Sequence, residues 1–493
     1  MISTDNNIFT ENTTMNNTPN NFQNRKIQRI LLVSPAYTLY YKDVRRCLPP
    51  LGLISLAAFL EKEGYELNIL DVATEGYYNV VQDGEYVTYG LGEEDIKKRI
   101  REFAPDIVGV SCIFSTQSDN ATNIFRIAKE INPKIITLTG GSHPTYSAEE
   151  TLANKNVDYV VLGESELPAL QLLNALNAGE EDLSKIGGLA FREQKTGEIK
   201  INRNQQYISD LNELPLPAYH LLNMERYFQI NVPQNPYPLG KRVAQLVTSR
   251  GCSARCVFCT TTNFWGNRYR GRSTEHVLKE LRHLKDKYNI DEIQFTDDNL
   301  TLNKKRALEI LEALKEMKLK WCLPQGVAVW ALDEELLIKM KESGCYQLTF
   351  AIESGNQYVL SKLIKKPLIL DKVKPLVKKA NELGIQLHAF FICGIPGETK
   401  EQMYETFEFA RDCEFQSASF FTATPLVGSE LLKICRDKGY LREGFTGKEV
   451  FYKVGNINTP EWTAEEVQEL TAKFTQEFNQ KDTREKHFGK EKY

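Results

Sequence analysis

Three cysteines stand within eight residues, in the run Thr248-Ser-Arg-Gly-Cys252-Ser-Ala-Arg-Cys256-Val-Phe-Cys259. Thiolates at this spacing can wrap one face of an iron–sulfur cubane. Such clusters usually take four cysteine ligands. Three ligands leave one iron open, and an open iron can bind a small chelating molecule. Zinc is the competing metal, but structural zinc takes four ligands, commonly from paired Cys-Xaa-Xaa-Cys units. No second pair exists here, and the nearest histidine, His276, falls at the start of the next predicted helix. The other seven cysteines (Cys47, Cys112, Cys322, Cys345, Cys393, Cys413 and Cys435) are scattered and read as small buried hydrophobes.

Other polar runs end apolar stretches. They are Phe295-Thr-Asp297-Asp298-Asn-Leu, Phe350-Ala-Ile-Glu353-Ser354-Gly355 and Cys393-Gly394-Ile395-Pro396-Gly397-Glu398. Each has a plain reading: an acidic helix cap, a solvated loop carboxylate, a tight turn. Each also has a functional one, because catalytic and binding groups collect at the carboxyl ends of barrel strands. Arg268, Arg270 and Arg272 lie close together after the cysteine run. They read either as a solvated face or as a site for an anionic ligand.

The elements that must position these groups fall into blocks. Residues 1–26 are rich in Asn and Thr and read as a disordered tail. Residues 27–192 alternate apolar strand runs with helical stretches: Ile30–Val33, Leu67–Leu70, Ile107–Val110, Ile135–Leu138 and Tyr159–Leu162. That pattern predicts a Rossmann-like, doubly wound parallel sheet. A dinucleotide fingerprint is missing after the first strand, where Ser34-Pro35-Ala36 stands. Glycine-rich turns follow later strands instead, at Gly140-Gly141-Ser-His143 and Gly163-Glu164. Residues 193–240 read as a proline-rich connector. Residues 241–440 predict six strands with intervening helices, one of them at Val327–Trp330. A full eight-fold barrel usually takes about 250 residues, so a partial (β/α)6 TIM-type barrel fits. Residues 441–493 read as a helical C-terminal extension.

Bulk properties narrow the class. The net charge is −4 and the sequence pI about 6.0, so no general attraction to nucleic acid is implied. No apolar run approaches the ~18 residues of a membrane span. A cytoplasmic location is the expectation.

The cysteine spacing, the aromatic Phe258 before the last cysteine and the partial barrel together resemble the radical S-adenosylmethionine (SAM) superfamily. The resemblance implies that Cys252, Cys256 and Cys259 hold a 4Fe-4S cluster and that SAM chelates its open iron. Phe258, Asp297, Glu353, Ser354 and Ile395 would cradle SAM. With the first block included, residues 27–440 resemble the cobalamin-binding class of that superfamily. The resemblance then implies cobalamin over the loops of Ser34, Pro35, Gly140, Gly141, His143, Gly163 and Glu164, its nucleotide tail near Gly140 and Gly141. His143, the one histidine of this block, is not in an Asp-Xaa-His-Xaa-Xaa-Gly context, so cobalt is expected to lack a lower histidine ligand. The implied activity is methylation of an unactivated carbon. Radical cyclisation or rearrangement on the same scaffold, and a non-catalytic iron–sulfur or corrinoid sensor, are the alternatives. The implied partners are a small-molecule, lipid or peptide substrate and an external electron donor such as flavodoxin or ferredoxin. No catalytic acid or base is singled out.

Overall fold

The computed structural model describes residues 26–448 and 451–479. The expected disordered tail lies outside the described residues, apart from Lys26, as does the chain from residue 480.

The strand Arg29–Ser34 is apolar on both faces. Ile30 and Leu32 join one core, Leu31 and Val33 another. Such a strand must be central and covered by helices on both sides. The parallel strands run in the order Glu66–Asp71, Arg29–Ser34, Ile107–Ser111, Ile136–Gly140, Tyr159–Val161. The direction of strand addition reverses between Arg29–Ser34 and Ile107–Ser111. A ligand crevice opens at the carboxyl ends beside such a reversal.

This sheet extends further than expected. Leu189–Arg192 adds antiparallel to Tyr159–Val161, and Ile199–Asn202 pairs antiparallel with Leu189–Arg192. The connector expected from residue 193 therefore begins only after Asn202. The turn between these strands uses Gly197 at φ +74, a conformation glycine adopts at no steric cost. A small antiparallel sheet of Tyr37–Tyr40, Val80–Asp83 and Tyr86–Tyr89 was also unforeseen.

The second sheet is parallel and follows chain order: Val243–Leu246, Glu292–Phe295, Lys320–Val327, Cys345–Glu353, Gln386–Cys393 and Ser417–Thr422. Its two outer strands do not pair with each other, so the barrel is open. The third strand is Lys320–Val327, not Val327–Trp330. Pro324 and Gly326 hide its strand pattern, the register slips between Leu323 and Val327, and Val329–Ala331 is a tight helical turn. Alternation separates lumen from core. Along Gln386–Cys393, Leu387, Ala389, Phe391 and Cys393 are buried under the outer helices, while His388, Phe390 and Ile392 are half-buried toward the lumen.

The described part of the C-terminal extension begins as an irregular strap and ends in the helix Ala464–Asn479. The helix covers the open edge at Ser417–Thr422. Thr475 Oγ1 accepts from the Phe420 N–H at 3.1 Å. Asn479 accepts from the Ala418 N–H at 3.1 Å and donates to its carbonyl at 2.7 Å. Side chains thus take the place of a further strand and blunt an exposed edge. Phe474 stacks on Phe407 with centroids 4.6 Å apart. Phe474→Ala is expected to cost about 3–5 kcal/mol, read as a lower denaturant midpoint. An unchanged midpoint would show that this helix does not hold the edge.

Candidate cluster and cofactor site

The cysteine run leaves the first barrel strand through Ser249–Arg250, which pairs with Arg270–Gly271. Its backbone is pinned at several points. The Val257 N–H donates to the Ile364 carbonyl at 3.0 Å, and its carbonyl accepts from the Leu431 N–H at 2.8 Å. The Gly251 N–H donates to Asp298 Oδ2 at 3.0 Å. Gly251 itself sits at φ +86, and a Cβ there would meet the Arg268 carbonyl at 2.2 Å. The three cysteines are free thiols. Burial pushes the Cys256 thiol up to about 12 and raises that of Cys259 as well. Bound iron would offset this, because coordination deprotonates a thiol. Among the described residues no three His, Cys, Asp or Glu side chains converge as one ion's ligands would.

The residues expected around SAM divide. Asp297 is buried, and its carboxylate accepts from the Thr248 N–H at 3.0 Å, the Thr248 hydroxyl at 2.7 Å and the Ser249 hydroxyl at 2.5 Å. It braces the lead-in to the cysteines instead of facing the opening. Its neighbour Asp298, part of the same run but not among the residues expected around SAM, lines the cavity at the carboxyl ends of the first sheet described below. Ser354 is fully buried, and its hydroxyl meets Thr406 Oγ1 at 3.1 Å. A Cβ on Gly355 would lie 2.5 Å from that of Phe409, so this pair serves close packing on the helix Lys400–Asp412. Glu353 ends its strand at φ +75, rare for a side-chain-bearing residue. It pairs with buried Lys366 at 3.0 Å. The Val257 N–H donates to the Ile364 carbonyl two residues before Lys366, which puts the Glu353–Lys366 pair beside the cysteine run. Phe258 is half-buried against the core, and Ile395 is buried.

A cavity of about 340 Å³ opens at the carboxyl ends of the first sheet. Leu32, Leu53, Leu56, Leu138 and Val161 make apolar walls, while Gly109, Gly140 and Gly141 contribute small residues. Gly163 and Glu164 also line it, and Arg250, Thr260, Trp265 and Asp298 close it from the barrel side. Gly141 is at φ +105, and a Cβ would meet the Cys112 carbonyl at 2.5 Å. A cleft with small residues on one side and aliphatic ones on the other fits the nucleotide tail of cobalamin. Ser34, Pro35 and His143 do not line this cavity. His143 Nδ1 meets the Ser115 hydroxyl at 3.1 Å, and burial lowers its pKa.

The two sheets meet through buried charges. Arg250 pairs with Glu164 and, at 2.6 Å, with Glu166, and donates to Ser55 Oγ at 3.2 Å. Arg270 pairs with the same Glu164 at 2.8 Å. Burial pushes the Glu166 carboxyl up, but Arg250 outweighs it and holds the group below the usual range. Glu164 is thus spent on arginines. Arg272 pairs with buried Glu280 at 2.5 Å, and Arg268 is exposed. Two of the three arginines considered for an anionic ligand are therefore internal.

A switch-point crevice joined to an open barrel with a three-cysteine loop is the arrangement that the resemblance to cobalamin-binding radical SAM enzymes implies. Residues 37–173 match the B12 binding domain and residues 246–410 the Radical SAM superfamily. The chain is 44% identical to the cytidylyl-2-hydroxyethylphosphonate methyltransferase of Streptomyces wedmorensis, over 93% of this chain and 91% of that one. It belongs to the cobalamin-binding radical SAM family, in its methyltransferase class. Its fold is that of the radical SAM methyltransferase TsrM from Kitasatospora setae, solved with tryptophan and a SAM analogue (TM-score 0.66, 19% identity, 84% and 77% of the two chains). It also matches the cobalamin-dependent SAM radical enzyme OxsB, solved with aqua-cobalamin and SAM (TM-score 0.69, 18% identity, 91% and 66%). The chain is an enzyme, and the sensor alternative falls. No described helix is long and apolar enough to cross a membrane.

One further group of this site titrates unusually. Glu398 Oε2 accepts from the N–H groups of Gly394 and Ile395 at 2.7 and 3.1 Å, while its Oε1 is buried without a partner. Burial raises this carboxyl from 4.5 to about 8. Between those values the folded chain keeps a proton that the unfolded chain has lost, so stability falls as pH rises through that window. Glu398→Gln is expected to flatten the fall in melting temperature between pH 5 and 8. A parallel fall in the variant would refute it.

Proposed function

We propose that this chain methylates an sp3 carbon of a nucleotide-linked phosphonate. The observation that carries this reading is the 44% identity, over nearly the full length of both chains, to a cytidylyl-2-hydroxyethylphosphonate methyltransferase. When bound, SAM on the cluster supplies a hydrogen-abstracting radical and cobalamin a transferable methyl group. Cys252, Cys256 and Cys259 hold the cluster. Glu353 and its partner Lys366 orient SAM, with Phe258 and Ile395 beside it. The cavity walls at Gly140, Gly141 and Gly163 take the nucleotide tail of cobalamin. The working units are residues 27–202 and 241–440, with the later residues closing the chamber. The substrate is a small molecule, not a lipid or peptide. The electron comes from a donor such as flavodoxin or ferredoxin, and the thiol-ligated cluster suits a reducing cytoplasm.

The substrate chamber is the barrel lumen under the C-terminal strap. Phe390 and Phe421 face it with centroids 5.4 Å apart, and Tyr452 of the strap meets Phe421 at 6.0 Å. Tyr452 is 48% exposed, yet burial, with a smaller contribution from Cys259, raises its phenol. The strap reaches the first domain through Phe451, stacked on Tyr86 at 4.9 Å, and through ion pairs Lys448–Asp119 and Lys453–Asp43.

The test is anaerobic reconstitution with iron, sulfide and cobalamin, then SAM, reductant and cytidylyl-2-hydroxyethylphosphonate. A product heavier by one CH2 is expected, with 5′-deoxyadenosine alongside. Alanine at Cys252, Cys256 or Cys259 should remove the cluster absorbance and both products. SAM cleavage without methylation would sink the phosphonate assignment. Tyr452→Ala should weaken substrate binding by about 1–3 kcal/mol, the worth of one stacked base, with cofactor content unchanged. An unaltered KM would remove Tyr452 from the chamber wall.

A further inference from the structure

Arg250 stands two residues before the first cluster cysteine and also lines the cavity assigned to cobalamin. Its guanidinium reaches two walls of that cavity. Glu164 and Glu166 belong to the turn and helix that follow Tyr159–Val161. Ser55 lies on the helix Leu51–Lys62, whose Gly52, Leu53 and Leu56 also line the cavity. The side chains of Arg250 and Arg270 are 11% and 9% exposed, and those of Glu164 and Glu166 less. Glu164 is held from its other side by Arg270, and its Oε2 also accepts from the Ile208 N–H at 3.3 Å. The Trp265 ring lies 5.1 Å from the Arg250 guanidinium. Two arginines and two glutamates leave the cluster of side chains neutral, so its desolvated charges are matched.

We propose that Arg250 is a positioning residue that sets the separation between the cobalamin of the first domain and the cluster on Cys252, Cys256 and Cys259. The inference rests on the reading that cobalamin occupies the cavity. A buried ion pair is weak evidence for stability, and its best-attested use is to fix register. Here the register is that of two cofactor domains. The planar guanidinium fork holds two carboxylates and a hydroxyl at once. A lysine ammonium lacks that fork and is more strongly hydrated, so it does not substitute.

The experiment uses the full chain loaded with cluster and cobalamin, and two variants. One is Arg250→Lys. The other is the double change Arg250→Gln with Glu166→Gln, which keeps the buried group neutral and guards against misfolding. Pulsed EPR between the reduced cluster and cob(II)alamin reads their separation without substrate. The unchanged chain should give one narrow distance. Both variants should keep iron and corrinoid content yet give a broadened or shifted distance. With cytidylyl-2-hydroxyethylphosphonate present, 5′-deoxyadenosine released per methyl transferred should rise several-fold. The same narrow distance and the same ratio in either fully loaded variant would overturn the proposal. So would loss of both cofactors in both variants, which marks a structural role alone. If the unchanged chain takes up no corrinoid, the functional reading falls and this inference falls with it.

Discussion

A charged arginine persists in a protein interior only against carboxylates, because desolvation of an unpaired ion is prohibitive. Here the carboxylates that Arg250 and Arg270 need lie across a domain boundary, at Glu164 and Glu166. The same segment is braced from behind. Arg306 donates to the carbonyls of Arg272 and Thr248 at 2.5 and 2.7 Å. Asp297 holds the N–H of Thr248 and the hydroxyls of Thr248 and Ser249. The chain from Thr248 to Arg272, with the cysteines inside it, is therefore fixed against both sheets. A cluster ligand loop cannot drift relative to the crevice without breaking buried charge pairs.

The barrel meets a different constraint. Six parallel strands do not close, so one edge must be satisfied by something else. The strand Ser417–Thr422 receives Thr475 and Asn479 from the last described helix, and its outward Phe420 packs on Phe474. Openness is useful because it leaves the lumen accessible. His388, Phe390, Ile392, Ser419 and Phe421 face inward and remain half-buried. The strap meets the same strand, where the Thr422 N–H donates to the Tyr452 carbonyl at 3.1 Å and Tyr452 touches Phe421, so the strap and the edge-covering helix both pack on Ser417–Thr422.

Much of this architecture was legible from period and punctuation. Continuous apolar runs marked the buried parallel strands, and the glycine turns after them marked the crevice. The antiparallel additions were not legible. Ile199–Asn202 is short and half polar, and its strand state depends on Leu189–Arg192 being beside it. Lys320–Val327 was misplaced because Pro324 and Gly326 break the local signal that neighbouring strands override. For Arg270 and Arg272 the sequence left a solvated face and an anionic-ligand site both open, because it shows the cations and not the distant carboxylates that neutralise them.

The sequence by itself pointed to the chemistry: three cysteines at one spacing, on a loop after a strand, are the ligand set that an iron–sulfur cluster with one open iron would take. It also determined that strands and helices alternate twice, since that follows from local apolar period. Only the tertiary structure decided what the polar motifs do. Asp297 and Ser354 turned inward to brace backbone and helix, Asp298 took the opening, and Glu353 found Lys366. The reason is physical. Whether a carboxylate or hydroxyl is free to meet a cofactor depends on which donors already surround it, and those donors arrive from segments far away in the chain.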